Sequence, residues 1–185
     1  AILGAWVLLT APMASSAVSF TDVYVFGDSL SDTGNLFAAT GQTVPNPAFY
    51  DNGRFQNGPS YVEGLANSFG RSADPALFGG TGTNYAVGGA RSRYHNLDLD
   101  ADGAPPLDQN PPTAFSLLWQ MDQFYAGLGG GALDPDALYV VWAGANDVQD
   151  VLTLASLNRL ADANTRLLEA VADVAAAITG LVDAG

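Results

Sequence analysis

The segment VYVFGDSLSDTGN, residues 23–35, constrains the fold more than any other stretch of the chain. Its first four residues are an unbroken run of β-branched, aromatic and apolar side chains. A strand with one wet face alternates polar with apolar residues, whereas a run without alternation suits a parallel sheet covered on both faces. Gly27 then removes the side chain where the strand ends. Asp28, Ser29, Leu30, Ser31, Asp32, Gly34 and Asn35 carry the chain into polar, turn-forming sequence. Open parallel α/β sheets bind their ligands at the carboxyl ends of the strands. Ser29 therefore stands either in an ordinary strand-to-loop turn or where chemistry occurs.

The rest of the chain repeats the strand-then-helix pattern. Residues 40–59 form a long loop rich in Pro, Asn and Gly, of the kind that in compact domains is often functional. Ser60 and Glu63 have capping-box spacing at the start of a helix that Gly70 is placed to end. Residues 84–87 read as a second strand running into Gly88, Gly89 and Ala90. After another polar, Pro-rich loop, Thr113 is expected to cap a helix through about Ala126, with Phe115, Leu118, Met121 and Tyr125 on one stripe. Residues 137–143 give the third strand, which runs into Gly144, Ala145, Asn146 and Asp147. The spacing predicts a last helix over about 155–182, with Leu157, Leu160, Leu167, Val171, Val174, Ile178 and Leu181 facing a sheet. This order predicts an α/β fold, a three-layer open parallel sheet with crossover helices. Three parallel strands make a small sheet, so the reading is of a domain over residues 18–185 that is truncated at its C-terminal side.

Composition narrows the partners. The 185 residues carry 19 acidic and 6 basic side chains, a formal net charge of −13, which argues against nucleic acid and anionic lipid as partners. There is no cysteine, so thiol catalysis is excluded. Residues 1–11 are an apolar run shorter than the about 20 residues a membrane span needs. Pro12 breaks it, and Ser15 and Ala17 fit the small-x-small pattern of a signal-peptidase site with cleavage after Ala17. Residues 1–17 are read as the remainder of a signal peptide, hence an exported protein; the rival reading is a buried strand or helix of the domain.

All three strands end in glycine-containing sequence, and in a parallel sheet those ends share one edge. A hydroxyl (Ser29), a glycine N–H and a side-chain amide (Asn146) would converge there. Acyl transfer needs that set: a nucleophile, and neutral donors for the oxyanion of a tetrahedral intermediate. Taken singly, Asn146 better suits a helix cap and the glycines better suit corners; the coincidence of three strand ends favours the site.

The chain resembles the GDSL family of esterases and lipases, the SGNH hydrolases. Gly27-Asp28-Ser29-Leu30, extended through Asn35, matches the first block of that family; residues 84–90 (NYAVGGA) resemble the second and residues 144–147 (GAND) the third. Residues 53–59 (GRFQNGP) resemble a segment common in its secreted members. The resemblance implies an SGNH, flavodoxin-like sheet, with Ser29 as nucleophile and first oxyanion donor, Gly89 (or Gly88) as second and Asn146 as third. It implies no cofactor, and a substrate that is a small-molecule or lipid ester.

The family's Asp-x-x-His block, which supplies its general base, has no counterpart in residues 1–185. The one histidine, His95, has no acidic residue three positions before it and reads as a solvated loop residue. The base and its Asp are therefore expected beyond Gly185. The sequence also lacks the Gly-x-Ser-x-Gly nucleophile elbow, since Ser31 stands two residues after Ser29. Asp98, Asp100 and Asp102 have the opening spacing of a calcium loop, but Gln109 stands at its twelfth position and Pro105 and Pro106 interrupt it, so a solvated acidic turn is the preferred reading. Phe49, Tyr50, Phe55 and Tyr94 either line an acyl or sugar pocket or pin loops to the core. Rival functions are a non-catalytic ester- or carbohydrate-binding module and an acyltransferase to an alcohol other than water.

Overall fold

The computed structural model describes residues 18–93 and 115–185. The proposed signal segment, His95, Tyr94, Thr113 and the Asp98, Asp100 and Asp102 turn lie outside the described residues. No helix among the described residues is long and apolar enough to cross a membrane.

β1 (Val23–Gly27) is the centre of the sheet, and it is covered on both faces as its unbroken apolar sequence requires. On one side it pairs in parallel with β2 (Leu138–Trp142), in a register that sets Gly27 opposite Trp142. On the other side residues 83–87 run parallel to it, through Val25 N–H to Thr83 O at 3.1 Å, Tyr85 N–H to Val25 O at 2.7 Å and Val87 N–H to Gly27 O at 3.1 Å. The predicted second strand is thus present as an isolated bridge at Asn84 rather than as a full strand. On its outer side it is bridged by the backbone of residues 74–76, through Ala76 N–H to Asn84 O at 2.8 Å and Asn84 N–H to Asp74 O at 3.0 Å, and a side chain adds to this. The buried Asn35 amide donates to Asn84 O at 2.7 Å and to Ala86 O at 2.9 Å, which closes the edge.

Side chains alternate along β1 and so divide the core. Val23 and Val25 pack with Val62 and Ala66 of α2 (Tyr61–Ser68) and with Leu138 and Val140. On the opposite face Phe26 packs with Leu117, Met121 and Phe124 of α3 (Leu117–Gly127) and with Ala177 and Leu181 of the last helix. α1 (Asn35–Ala39) is a single short turn after the Ser29 loop. α2 begins with the expected capping box, the Ser60 N–H donating to Glu63 Oε2 at 2.7 Å and the Glu63 N–H to Ser60 Oγ at 3.4 Å.

Two helix predictions need correction. α3 starts at Leu117 with Ser116 as its cap, and its buried side is Leu117, Gln120, Met121 and Phe124; of the predicted stripe only Met121 is fully buried. Gln120 displaces an apolar residue because its amide completes the end of β1, accepting from Gly27 N–H at 2.9 Å and donating to Gly27 O at 2.8 Å.

The predicted last helix, over about 155–182, is α5 (Leu160–Ala184), and a helix that was not predicted, α4 (Ala145–Ser156), precedes it, with Asn158 between them at a left-handed φ of 60°. The buried side of α5 is Ala163, Arg166, Ala170, Asp173, Ala177 and Leu181. Small residues let α5 lie close against its neighbours, and two of its charges find partners there. The leucine-rich stripe points outward instead: Leu160 is 64% and Val171 62% exposed, and only Leu181 is buried.

Candidate active site

Because Val87 bonds to Gly27 and Gly27 pairs with Trp142, the three chain segments leave the sheet side by side. Two residues beyond each of the first two points stand Ser29 and Gly89. Four beyond Trp142 stands Asn146, in the first turn of α4. The edge inferred from sequence thus brings together Ser29, Gly89 and Asn146, although Asn146 lies on a helix and not on a loop.

The turn after β1 is tight. Asp28 O accepts from Ser31 N–H and Asp32 N–H, both at 3.0 Å, and Asp28 Oδ1 accepts from Leu30 N–H at 3.1 Å. These bonds leave the Ser29 N–H without an acceptor among the described residues. The Asp28 side chain is buried and its Oδ2 has no partner there. Burial raises its carboxyl above the ordinary range, and the charge of Asp147 adds to the effect.

Residues 87–90 form the second turn, with Ala90 N–H bonded to Val87 O at 3.1 Å. Gly89 takes φ of +77°, the value that the third position of a type II turn requires and that a side chain disfavours. Gly88 has a different reason to be glycine. A Cβ there would stand 2.2 Å from the Phe55 ring and 2.9 Å from Leu36. Gly88→Ala is therefore expected to lose about 1–3 kcal/mol of stability by overpacking. Denaturant unfolding checks this, and Phe55→Leu in the same chain should recover part of the loss. Phe55 thus pins its loop to the core, while Phe49 is exposed.

The two glycines also differ in what their N–H groups do. Gly88 N–H donates to Asp32 Oδ2 at 2.8 Å, whereas Gly89 N–H has no acceptor among the described residues. Asp32 holds three further N–H groups, of Gly34, Asn35 and Leu36, at 2.8, 2.7 and 3.1 Å. Burial pushes its carboxyl up to about 6, against the pull of those four donors. The Asn146 amide donates to Ala90 O at 2.8 Å. Beside the nucleophile turn, Tyr61 is hydrogen-bonded to Ser31 at 2.9 Å and its ring lies 5.5 Å from that of Trp142, which is 51% exposed.

Sequence reasoning passed over Asp32, Gln120, Arg91 and Asp150. The only signal for Asp32 was its place in the first sequence block; the others become visible only through contacts between distant segments. Among the described residues no three His, Cys, Asp or Glu side chains come together to hold a metal ion.

A family model described as GDSL-like lipase/acylhydrolase matches residues 23–184. The chain belongs to that family. It is 34% identical over 143 residues to a phosphatidylcholine-sterol acyltransferase of Aeromonas hydrophila, covering 76% of this chain and 37% of that protein. It is 30% identical over 150 residues to a GDSL esterase/lipase of Arabidopsis thaliana, covering 72% and 37%. It is 31% identical over 168 residues to the esterase EstA of Pseudomonas aeruginosa, covering 76% of this chain and 24% of that protein. The GDSL-family chain thus spans less than two fifths of the length of these relatives.

Proposed function

We propose that this chain carries the nucleophile and oxyanion hole of a serine hydrolase that cleaves carboxylic esters through an acyl-enzyme. The observation that carries the reading is the pair of N–H groups on Ser29 and Gly89, at neighbouring segment ends and without acceptors among the described residues. N–H groups with no acceptor in the protein are free to bond a ligand, as the donors of an oxyanion hole must be.

In this reading Ser29 Oγ attacks the ester carbonyl carbon and its proton passes to a general base. The carbonyl oxygen becomes an oxyanion that receives hydrogen bonds from Ser29 N–H, Gly89 N–H and the second N–H of the Asn146 amide. Collapse expels the alcohol and leaves an acyl group on Ser29, which water then removes. Gly88 is not a donor in this scheme, since Asp32 already holds its N–H. The exposed rings of Tyr61 and Trp142 offer apolar surface to the acyl part.

In this reading the base is not among the described residues, which hold no histidine, and the one histidine of the chain, His95, has no acidic residue three positions before it. The outer edge of β2 carries no paired strand among the described residues, and the outward face of α5 is apolar. Both support a three-layer domain completed by further strands, with the base-bearing segment among them.

The test is adduct formation at Ser29. n-Butylboronic acid is expected to give a tetrahedral boronate signal with residues 18–185, and Ser29→Ala is expected to abolish it. The same protein is expected not to turn over p-nitrophenyl butyrate. Absence of any adduct would remove the ester-hydrolase reading, and steady Ser29-dependent turnover would remove the external base. A second reading, acyl transfer to an alcohol other than water, is favoured by the name of the Aeromonas relative. Product analysis with competing alcohols, on protein that turns over, separates the two.

A further inference from the structure

Resting on the ester-hydrolase reading, we infer that Arg91 and Asp150 are a positioning pair that fixes the Gly89 N–H against the Asn146 amide. Neither residue touches substrate in this account. They act by holding the backbone of the second turn against the first turns of α4.

Arg91 Nε donates to Asp150 Oδ2 at 2.6 Å and Nη2 to Asp150 Oδ1 at 2.7 Å, a planar fork with one preferred orientation. Its remaining terminal nitrogen, Nη1, reaches Gly89 O at 3.4 Å. Asp150 lies four residues after Asn146 on α4, so both side chains leave the same face of the helix. Asn146 holds Ala90 O, Asp150 holds Arg91, and Asp147 accepts from Ser92 N–H at 3.0 Å. Each of residues 89–92 is therefore tied to α4, Gly89 by way of Arg91.

The consequence falls on one peptide plane. A Gly-Gly turn is the softest backbone at this edge, since neither residue has a side chain to lock it. The N–H before that plane, on Gly88, is held by Asp32, and the carbonyl after it, on Gly89, is held by Arg91. The 88–89 peptide between them presents the unspent Gly89 N–H. Asp150 is nearly buried, so the pair works in surroundings of low dielectric, where orientation is strictly kept. Preorganised donors are what make an oxyanion hole effective, because they need no reorganisation when charge develops.

The test uses n-butylboronic acid, read by boron NMR and by the Gly89 amide proton. The Ser29 oxygen adds to boron, one proton leaves to solvent, and the negative boronate takes up the oxyanion donors. Wild type is expected to bind with a downfield shift of the Gly89 amide proton. The double variant Arg91→Met with Asp150→Leu, which leaves neither charge of the pair unpaired, is expected to bind at least about tenfold more weakly and to lose that shift. Arg91→Lys, which keeps the charge but not the fork, is expected to lie between the two. All affinities are measured well below each variant's unfolding temperature. A folded double variant that binds within about twofold of wild type, whatever its fall in unfolding temperature, would overturn the inference and leave a purely structural pair. Should the double variant not fold, Arg91→Lys decides, and unchanged affinity and amide shift in it overturn the inference. Wild type that forms no adduct overturns the ester-hydrolase reading and this inference with it.

Discussion

Asp32→Ala is expected to lower the stability of the domain by about 4 kcal/mol, a large part of the roughly 5–15 kcal/mol that holds a typical domain folded. The carboxylate accepts four backbone N–H groups, from Gly34, Asn35, Leu36 and Gly88. An orphaned buried N–H costs about 1–3 kcal/mol. Relief of the buried charge offsets part of that loss. Urea unfolding at neutral pH measures the difference, and a loss under about 1 kcal/mol would sink the account.

Asp32 also imposes a pH dependence of definite sign. Its carboxyl is raised in the fold to about 6 from the ordinary aspartate value of 3.8. The folded state therefore binds the proton more tightly than the unfolded chain. This contribution to stability is fully present below about 3.8 and is lost as the pH rises through about 6. A shift of this size corresponds to roughly 3 kcal/mol. Asp32→Asn has no such group, so the stability difference between wild type and Asp32→Asn should shrink by about that amount between pH 4 and pH 7. A constant difference across that window would show that Asp32 titrates as an ordinary carboxylate.

Arg166→Met is expected to cost about 3–5 kcal/mol. The guanidinium is 1% exposed, lies 2.8 Å from Asp147 Oδ1 and 3.4 Å from Asp150 Oδ2, and joins α5 to the start of α4. Removing the positive partner leaves Asp147 buried with Ser92 as its hydrogen-bond partner among the described residues, while Asp150 keeps Arg91. The penalty is the desolvation of an uncompensated charge rather than the lost attraction. Adding Asp147→Asn to Arg166→Met should therefore recover part of the stability, and a double-mutant cycle in urea reads that recovery. A double variant no more stable than Arg166→Met would contradict it.

The parts of this protein legible from sequence are those written in local pattern. An apolar run without alternation specifies a strand buried on both faces, and β1 is covered on both faces as expected. Ser60 and Glu63 specify a helix start because capping is an interaction within four residues. The order of strands and helices was enough to set Ser29, Gly89 and Asn146 on one edge, since parallel strands must all end on the same side.

The outer face of α5 shows where such reasoning misled. Periodicity identifies an apolar stripe but not what it faces, and the stripe of Leu160, Leu167 and Val171 points away from the sheet. Close packing against α4 selected the small residues for the inner face, and long-range ion pairs put Arg166 and Asp173 there too. Sequence alone fixed the first strand, the helix cap and the serine at the strand end, because each rests on residues adjacent in the chain. Only the tertiary structure decided which glycine N–H is held by Asp32 and which charged pair reaches the carbonyl of the other glycine. Those answers depend on Asp32 meeting Gly88 and on Arg91 meeting Asp150, contacts across 56 and 59 residues of chain.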